Sequence, residues 1–327
     1  MNDSDYMKIA LQLAKKGCGF TSPNPMVGAV IVKEGRIIGQ GWHEKYGEAH
    51  AERNALAACT ENPKGATMYV TLEPCCHYGK QPPCINAIME AGIERVVIGS
   101  GDPNPLVSGK GIQILKKQGI LVTEHILQED CERLNEVFFH YIQTKRPFVV
   151  MKYAMTLDGK IATKTGASKW ITGESARKEV QHMRHQYMGI MAGIGTVLAD
   201  DPMLNVRVEG WKSPVRIVCD SKLRIPPGSQ IVKSAEKYRT IVAYAEQKNA
   251  KEKIKILHTM GVETIYCPDE KNQIDLKKLM TDLGNRGIDS ILLEGGGTLN
   301  DSALRAGIVK EVQAFVAPKL FGGVAGK

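Results

Sequence analysis

The sequence contains no long apolar run and few aromatic residues. Of its 327 residues, 43% are hydrophobic but only 6% are aromatic, and no stretch approaches the roughly 20 consecutive apolar residues that a membrane-spanning helix requires. The N-terminus carries early acidic residues in an amphipathic spacing, MNDSDYMKIALQLAKKG, and lacks the basic patch and apolar block of a secretory signal. We expect a cytoplasmic protein that makes no contact with a membrane.

A concentrated basic region is also absent. The formal net charge is +8, but the lysines and arginines are scattered along the chain and form no block. Proteins that bind single-stranded nucleic acid combine a basic groove with interleaved aromatic side chains, and this sequence indicates neither feature. Small anionic ligands, or a solvated surface alone, explain the excess charge equally well. We expect a small phosphorylated substrate and no nucleic-acid partner.

A disulfide framework is not expected, although the chain has eight cysteines. Without a secretory signal, cysteines in a long chain are more often small core residues, metal ligands or catalytic groups. Most of the eight lie in apolar surroundings typical of a core, and only those between Cys75 and Cys84 are clustered. The full set is Cys18, Cys59, Cys75, Cys76, Cys84, Cys131, Cys219 and Cys267.

The chain is too long for a single ordinary hydrophobic core, which predicts two domains. Helical and strand patterns alternate up to Arg146-Pro147, where proline restricts the residue before it, and the alternation then restarts. We therefore predict α/β domains at 1–145 and 146–327, and a homo-oligomer. The glycine-rich end 321–327 is typical of a loop and predicts that the second domain lacks a terminal piece.

Strands are predicted at 27–32, 37–41, 68–72, 95–99, 121–126, 148–154, 215–220, 240–245, 263–267 and 290–294. Helices are predicted at 5–16, 50–59, 111–118, 128–144, 174–186, 249–260 and 276–286, with another starting near Cys84.

Three residues in the first half have the chemistry of a catalytic zinc site. His50 opens a helix, Cys75 follows a strand, and Cys84 begins the next helix. One imidazole and two thiolates leave the fourth position of a tetrahedral zinc ion for water, which zinc activates at neutral pH. Glu52 lies two residues from His50 and does not share its helical face. This position suits a carboxylate that moves protons beside the bound water.

The spacing departs from the zinc-deaminase pattern H-x-E…P-C-x-x-C, because eight residues separate Cys75 from Cys84. Four other interpretations stay open. In the first, His50 caps a helix and the cysteines are ordinary core residues; in the second, Cys76 or His77 replaces one of the two cysteine ligands. In the third, the chain is a nucleic-acid-editing deaminase with an accessory domain, and in the fourth it is a zinc-stabilised binding protein without turnover.

Three segments resemble the deaminase half of the bifunctional riboflavin-biosynthesis deaminase/reductases: 71–84 (TLEPCCHYGKQPPC), 23–30 (PNPMVGAV) and 102–105 (DPNP). The family usually has serine where Cys76 stands, which favours Cys76 as a non-ligand. The resemblance implies a cytidine-deaminase-like α/β/α sandwich. It also implies zinc-dependent hydrolytic deamination of a diaminopyrimidinone carrying a ribosylamino 5′-phosphate, with Glu52 as proton carrier. Candidates for the ribose phosphate are Asn24, His77 and Lys80, for which solvated loop residues are the alternative.

The second half has no G-x-G-x-x-G at a strand–helix junction, so a standard Rossmann fold is not favoured. The segment 193–196 (GIGT) lacks the third glycine. The segment 294–299 (EGGGTL) follows a predicted strand and opens a helix. Backbone N–H groups in such a turn can bind a pyrophosphate, although a plain tight turn explains the glycines equally well.

Four segments resemble the reductase domain of the same family, in the same order: 152–162 (KYAMTLDGKIA), 168–172 (SKWIT), 195–202 (GTVLADDP) and 293–296 (LEGG). The resemblance implies a dihydrofolate-reductase-like α/β domain that uses NADPH to reduce the ribosyl group to ribityl. The cofactor residues it implies are Ala154, Trp170, Thr196, Asp200, Ser221, Gly295, Gly296, Gly297, Thr298 and Leu299. The substrate residues it implies are Lys152, Ser168, Arg184, Leu204, Arg207 and Glu294. Arginine suits a phosphate monoester, and Lys152 is placed near the sugar oxygen, with a surface lysine as the alternative. Trp170 is equally interpretable as a core aromatic.

Overall fold

The computed structural model describes residues 1–161, 171–246 and 250–322. The chain forms two compact units, Met1–Thr144 and Lys145–Lys327. Within the described ranges, no helix combines the length and the apolar character that crossing a bilayer requires.

The N-terminal unit is built on a five-stranded sheet of order β2-β1-β3-β4-β5. The first two strands form an antiparallel hairpin, which confirms the predicted turn; Glu34 and Gly35 both have positive φ there. The central strands β3 and β4 are parallel and buried along nearly their whole length, as expected for strands covered on both faces. The strands are β1 (Gly28–Lys33), β2 (Arg36–Trp42), β3 (Thr67–Leu72), β4 (Arg95–Ser100) and β5 (Leu121–Thr123).

Helices cover both faces of this sheet and give three layers. One core joins alternate strand residues such as Ile31 and Met68 to Ile88 and Leu115. The other joins the intervening strand residues to α1 and to Cys131. The helices are α1 (Asp3–Ala14), α2 (Ala51–Ala57), α3 (Cys84–Glu90), α4 (Lys110–Lys117), α5 (Gln128–Leu134) and α6 (Glu136–Thr144).

The single helix predicted at 128–144 is wrong, because the chain breaks at Asn135 between α5 and α6. The Asn135 side chain pairs with both backbone groups of Met26: its Oδ1 accepts from Met26 N at 2.8 Å and its Nδ2 donates to Met26 O at 2.9 Å. These bonds to a distant loop outweigh the continuation of the local helix.

The C-terminal unit contains a seven-stranded sheet of order β10-β9-β8-β7-β11-β6-β12, in which every neighbouring pair is parallel. The strands are β6 (Phe148–Thr156), β7 (Gly189–Gly193), β8 (Val215–Cys219), β9 (Thr240–Tyr244), β10 (Val262–Tyr266), β11 (Ser290–Leu293) and β12 (Val309–Ala317). The helices are α7 (Glu174–Gln186), α8 (Ile194–Asp200), α9 (Gln230–Lys233), α10 (Ala250–Thr259), α11 (Leu276–Asn285) and α12 (Gly297–Arg305). The short strand β7 and the edge strand β12 were not predicted from the sequence.

The strand order defines where a ligand fits. From β7 the chain adds β8, β9 and β10 outward in one direction, and it then returns to insert β11 between β7 and β6. Ligands of open α/β sheets bind at the carboxyl ends of the strands where the order reverses. The carboxyl ends of β6, β7 and β11 therefore mark the expected crevice.

Candidate active sites

Local structure positions the three expected zinc ligands. His50 is the N-cap of α2, with extended backbone angles. Cys84 is the first residue of α3, and Cys75 lies just beyond the end of β3. The backbone of Ile85 donates a hydrogen bond to Cys75 O at 3.3 Å, which holds the strand end against the start of the helix.

The three ligand atoms fit a zinc ion. His50 Nδ1 lies 3.5 Å from Cys75 Sγ and 3.3 Å from Cys84 Sγ. Ordinary Zn–N and Zn–S bond lengths in a tetrahedron place such atoms about 3.6 Å apart. Within the described ranges these three residues form a group whose ligand atoms all lie within 4.8 Å of one another. Neither Cys76 nor His77 belongs to that group, and Cys76 Sγ instead donates to Leu106 O at 3.7 Å.

The two ligand thiols differ in acidity because each acts on the other. A hydrogen bond from the Cys84 thiol and a further one to the His50 imidazole together lower the pKa of Cys75 to about 4. The same bond to Cys75, together with burial, raises the pKa of Cys84. The backbone N–H of Cys84 also donates to Cys75 Sγ at 3.3 Å. The pair thus shares one thiol proton, which a divalent cation replaces when it binds.

Glu52 lies beside this group and is 3% exposed. Burial raises the pKa of its carboxyl, and negative charge on Cys75 raises it further. A carboxyl with a raised pKa can both accept and release a proton near neutral pH.

The zinc group opens into a cavity of about 220 Å³. All three residues expected to bind the substrate line it, as do three residues that sequence reasoning missed. The expected residues are Asn24, His77 and Lys80, and the others are His43, Asp102 and Asn104. Lys80 Nζ lies 3.9 Å from the centre of the Tyr46 ring. His77 Nδ1 is buried and has no hydrogen-bond partner among the residues that the structure describes.

The missed residues had a positional signal. His43 directly follows β2, and Asp102 and Asn104 follow β4. His43 Nδ1 donates to Ala49 O at 3.1 Å, which leaves Nε2 to accept from Asn24 Nδ2 at 3.4 Å, and burial lowers the pKa of the imidazole. Burial raises the pKa of Asp102 to about 6. The segment 102–105 was recognised only as a resemblance, because a single sequence does not show which strand ends share one cavity.

In the C-terminal unit, strand register brings three predicted residues together. Leu293 of β11 pairs with Met151 of β6, which places Glu294 beside Lys152, with Glu294 Oε2 at 3.5 Å from Lys152 Nζ. Arg184 donates to both carboxylate oxygens of Glu294, at 2.7 and 3.1 Å. Burial acts to raise the pKa of Glu294, but the two cations outweigh it and lower the pKa. Arg184 also donates to Asn205 O at 3.1 Å.

The predicted cofactor residues lie after neighbouring strands. Thr196 and Asp200 are on α8, which follows β7, and Ser221 follows β8. A Cβ added to Gly296 would lie 3.8 Å from Thr196 Oγ1, and one added to Gly193 would lie 3.6 Å from Leu299 Cβ. The structure therefore brings the glycine turn close to the start of α8. Ala154 lies near the carboxyl end of β6.

The remaining predicted substrate residues are not all presented to a site. The Leu204 side chain is 4% exposed and belongs to the hydrophobic core, with a backbone φ of 48°. Arg207 is exposed, and its backbone N–H donates to Gln181 at 2.9 Å. Ser168 and Trp170 lie outside the described residues.

The glycine turn fits a dinucleotide. Gly296 is the N-cap of α12 and is exposed together with Gly297, so an anionic group can reach the N–H groups at the start of the helix. Asn300 Oδ1 is buried there and has no hydrogen-bond partner within the described ranges, which leaves an acceptor for a ligand N–H or O–H.

These two units define a two-domain enzyme of the zinc-deaminase and reductase classes. Residues 1–100 match the cytidine and deoxycytidylate deaminase zinc-binding region, and residues 147–327 match the RibD C-terminal domain. The chain belongs to the RibD family of riboflavin biosynthesis proteins.

The similarity extends over nearly the full chain. The riboflavin biosynthesis protein RibD of Actinobacillus pleuropneumoniae is 56% identical over 100% of this chain and 86% of its own length. The Escherichia coli K12 protein of the same name is 40% identical over 99% of this chain and 90% of its own length. Two crystal structures superpose with a TM-score of 0.88: the Thermotoga maritima deaminase/reductase (41% identity, 98% of this chain, 88% of that chain) and Acinetobacter baumannii RibD (40% identity, the same coverage).

The comparisons confirm the fold class and the family predicted from the sequence motifs. They also confirm a bifunctional enzyme that joins a zinc-dependent deaminase to an NADPH-dependent reductase. They favour riboflavin biosynthesis over the nucleic-acid-editing alternative.

Proposed function

We propose that the N-terminal unit deaminates 2,5-diamino-6-ribosylamino-4(3H)-pyrimidinone 5′-phosphate. The C-terminal unit then reduces the ribosyl group of the product to ribityl with NADPH. The observation that carries the proposal is the His50, Cys75 and Cys84 group, which lies beside a buried glutamate and opens into a cavity. The Thermotoga maritima relative, 41% identical, is named for a diaminohydroxyphosphoribosylaminopyrimidine deaminase and a 5-amino-6-(5-phosphoribosylamino)uracil reductase.

His50, Cys75 and Cys84 hold the zinc ion, which when bound supplies an activated water at neutral pH. Glu52 is the catalytic proton carrier. It takes the proton of the attacking water and delivers protons to the ring nitrogen and to the departing ammonia. Burial beside the thiolates supports this role, because a carboxylate with a raised pKa takes up a proton more readily than an exposed one, and a pKa closer to the working pH suits a group that must also return it.

Lys80, His77 and Asn24 bind the phosphorylated end and the ring of the substrate. Lys80 supplies a cation at the cavity wall, and the unpartnered Nδ1 of His77 offers a further hydrogen bond. The Asn24 amide nitrogen donates to His43, which orients the amide so that its oxygen remains to accept from a ring N–H or amino group.

In the reductase unit, Lys152 donates to the sugar oxygen while Glu294 contacts the sugar hydroxyl groups. Arg184 has three of its donors engaged with Glu294 and Asn205. We assign it to holding that carboxylate and the 204–207 loop, and we assign the exposed Arg207 to the phosphate. NADPH, when bound, supplies the hydride for C1′.

The cofactor residues we propose are Ala154, Trp170, Thr196, Asp200, Ser221 and the turn Gly295–Leu299. On the substrate side we propose Ser168 and the backbone of Leu204, since the Leu204 side chain lies in the core. The pyrophosphate is assigned to the start of α12. We also propose that the chain divides into domains at 145/146 and is a cytoplasmic homo-oligomer. We propose no nucleic-acid partner.

The experiment measures ammonia release and NADPH oxidation on the diaminopyrimidinone ribosylamino phosphate, with and without a zinc chelator. We expect chelation to abolish both signals, while added deaminated intermediate still consumes NADPH. If metal-replete protein gives neither signal, the substrate assignment is wrong. Ammonia release without NADPH oxidation would retain the deaminase assignment and reject the reductase assignment for this chain.

A further inference from the structure

Glu73 is a second buried carboxylate at the deaminase cavity, and its surroundings differ from those of Glu52. It lies directly after β3 and is 4% exposed. Its Oε2 accepts from Gly109 N at 2.9 Å and from Asp102 N at 3.4 Å, and its Oε1 accepts from Ile112 N at 3.4 Å. Three backbone N–H groups thus converge on one side chain.

These bonds fasten both ends of the loop that follows β4. Asp102 begins the loop, and Gly109 and Ile112 belong to the start of α4. The converging N–H groups, two of them at the start of α4, give the side chain one hydrogen-bonded position. The fit is close, because a Cβ added to Gly111 would lie 2.4 Å from Pro74 O.

The fastened loop forms part of the cavity wall. Asp102 and Asn104 both line the cavity, and Asp102 Oδ1 accepts from Asn104 N at 2.8 Å. Glu73 itself stands two positions before the zinc ligand Cys75. One buried carboxylate therefore links the zinc-binding turn to the wall that a substrate ring would contact.

We propose that Glu73 is a positioning residue for the deamination reaction. It holds the 102–109 loop at a set distance from the zinc ligands, which determines how well the pyrimidine ring fits, and it exchanges no proton itself. This inference rests on the deaminase function proposed above. The division of labour follows from the surroundings: Glu73 is saturated by backbone donors, whereas Glu52 faces the ligand thiols.

The test is Glu73→Gln, measured by ammonia release, zinc content and NADPH oxidation on added deaminated intermediate. The amide keeps one acceptor atom but turns its NH₂ group toward a backbone N–H. We expect the KM of deamination to rise roughly tenfold, as for a lost hydrogen bond to a charged group. We expect kcat per bound zinc to change far less, and the zinc content and reductase rate to stay unchanged.

Two further variants complete the test. Glu90→Gln removes an exposed carboxylate at the end of α3 and should leave KM unchanged. Glu73→Asp keeps the charge with a shorter reach and should give a KM between those of the wild type and Glu73→Gln. A fall in kcat at constant KM would overturn the proposal. Parallel loss of zinc and activity in both Glu73 variants would show a structural role alone and would also overturn it. If the wild type releases no ammonia, the failure is that of the proposed function.

Discussion

At the scale of single residues, the deaminase cavity separates carboxylates that hold structure from those that act on a substrate. Glu52 and Glu73 are both less than 5% exposed. Glu73 accepts three backbone hydrogen bonds, whereas the pKa of Glu52 is raised by burial and by the neighbouring thiolate. Two equally buried carboxylates therefore have different roles, because their hydrogen-bond donors differ.

Replacing Glu52 by glutamine removes the proton carrier and leaves the zinc ligands intact. We expect kcat for ammonia release to fall about 10²–10⁴-fold, the usual contribution of general acid–base catalysis. Zinc content and NADPH oxidation on added deaminated intermediate should remain at wild-type levels. Metal analysis and the two assays on one preparation check this. Retention of full deaminase activity would show that Glu52 is not the proton carrier.

Asp102 should make the stability of the N-terminal unit depend on pH. Burial raises its pKa to about 6, above the value of about 3.9 in an unfolded chain. Between these two pH values Asp102 is ionised in the unfolded chain but still protonated in the folded protein. The free energy of unfolding therefore falls as the pH rises, and this loss of stability is complete above pH 6. Asp102→Asn should therefore stabilise the unit at pH 7, by up to about 3 kcal/mol, and by about half as much at pH 5.

Urea denaturation at pH 5 and pH 7 measures this difference. Asp130→Asn, an exposed residue on α5, is the control and should show no comparable pH dependence. A stability difference between Asp102→Asn and the wild type that is the same at both pH values would contradict the assignment.

At the scale of elements, the position of β11 determines the reductase site. Its insertion between β7 and β6 places Glu294 beside Lys152, and α7 delivers Arg184 to the same carboxylate. The two side chains of the Arg184–Glu294 pair are only 14% and 12% exposed. Removing Arg184 takes away one of the two cations of the buried Glu294 carboxylate and leaves it with Lys152, and breaking a buried pair costs more than the pair contributes.

Arg184→Ala should therefore destabilise the C-terminal unit by about 3–5 kcal/mol and impair reduction of the deaminated intermediate. The control is Arg305→Ala, which breaks an exposed pair with Asp301 and should leave the denaturation midpoint nearly unchanged. Equal denaturation midpoints for the two single variants would refute this account.

At the scale of the whole molecule, each unit has hydrophobic cores of its own. Ile31, Met68 and Leu115 belong to a core of the N-terminal unit, and Val149 and Ile217 belong to one of the C-terminal unit. Zinc binds in the first unit, and NADPH is proposed to bind in the second. Ligand binding to the folded state stabilises only the part that unfolds with it.

We therefore expect calorimetry to resolve two thermal unfolding transitions, one raised by zinc and the other by NADPH. Zinc at about 100 times its Kd adds roughly 3 kcal/mol, which raises one transition by about 10 °C. NADPH should raise the other transition and leave the zinc-dependent one in place. A chelator that lowers both transitions equally would show that the units unfold together.

Local chemistry and periodicity made much of the molecule predictable. The order of His50, Glu52, Cys75 and Cys84 indicated a catalytic zinc site, because few other functions need those residue types at strand ends and helix starts. The hairpin of β1 and β2, the strands β3 and β4, and α7 were predicted from neighbouring residues, whose side-chain alternation is a local property. The family motifs extended this to the substrate and the cofactor.

Contacts between distant parts of the chain were decided by the tertiary structure. The break at Asn135 depends on Met26, 109 positions away, and the Arg184–Glu294 pair spans 110 positions. Glu73 and Asp102 meet because β3 and β4 are parallel neighbours, so their carboxyl ends open on the same side. A local pattern shows which residues form a strand, but strand order and register arise only when all the strands pack together. The walls of both sites follow from that packing.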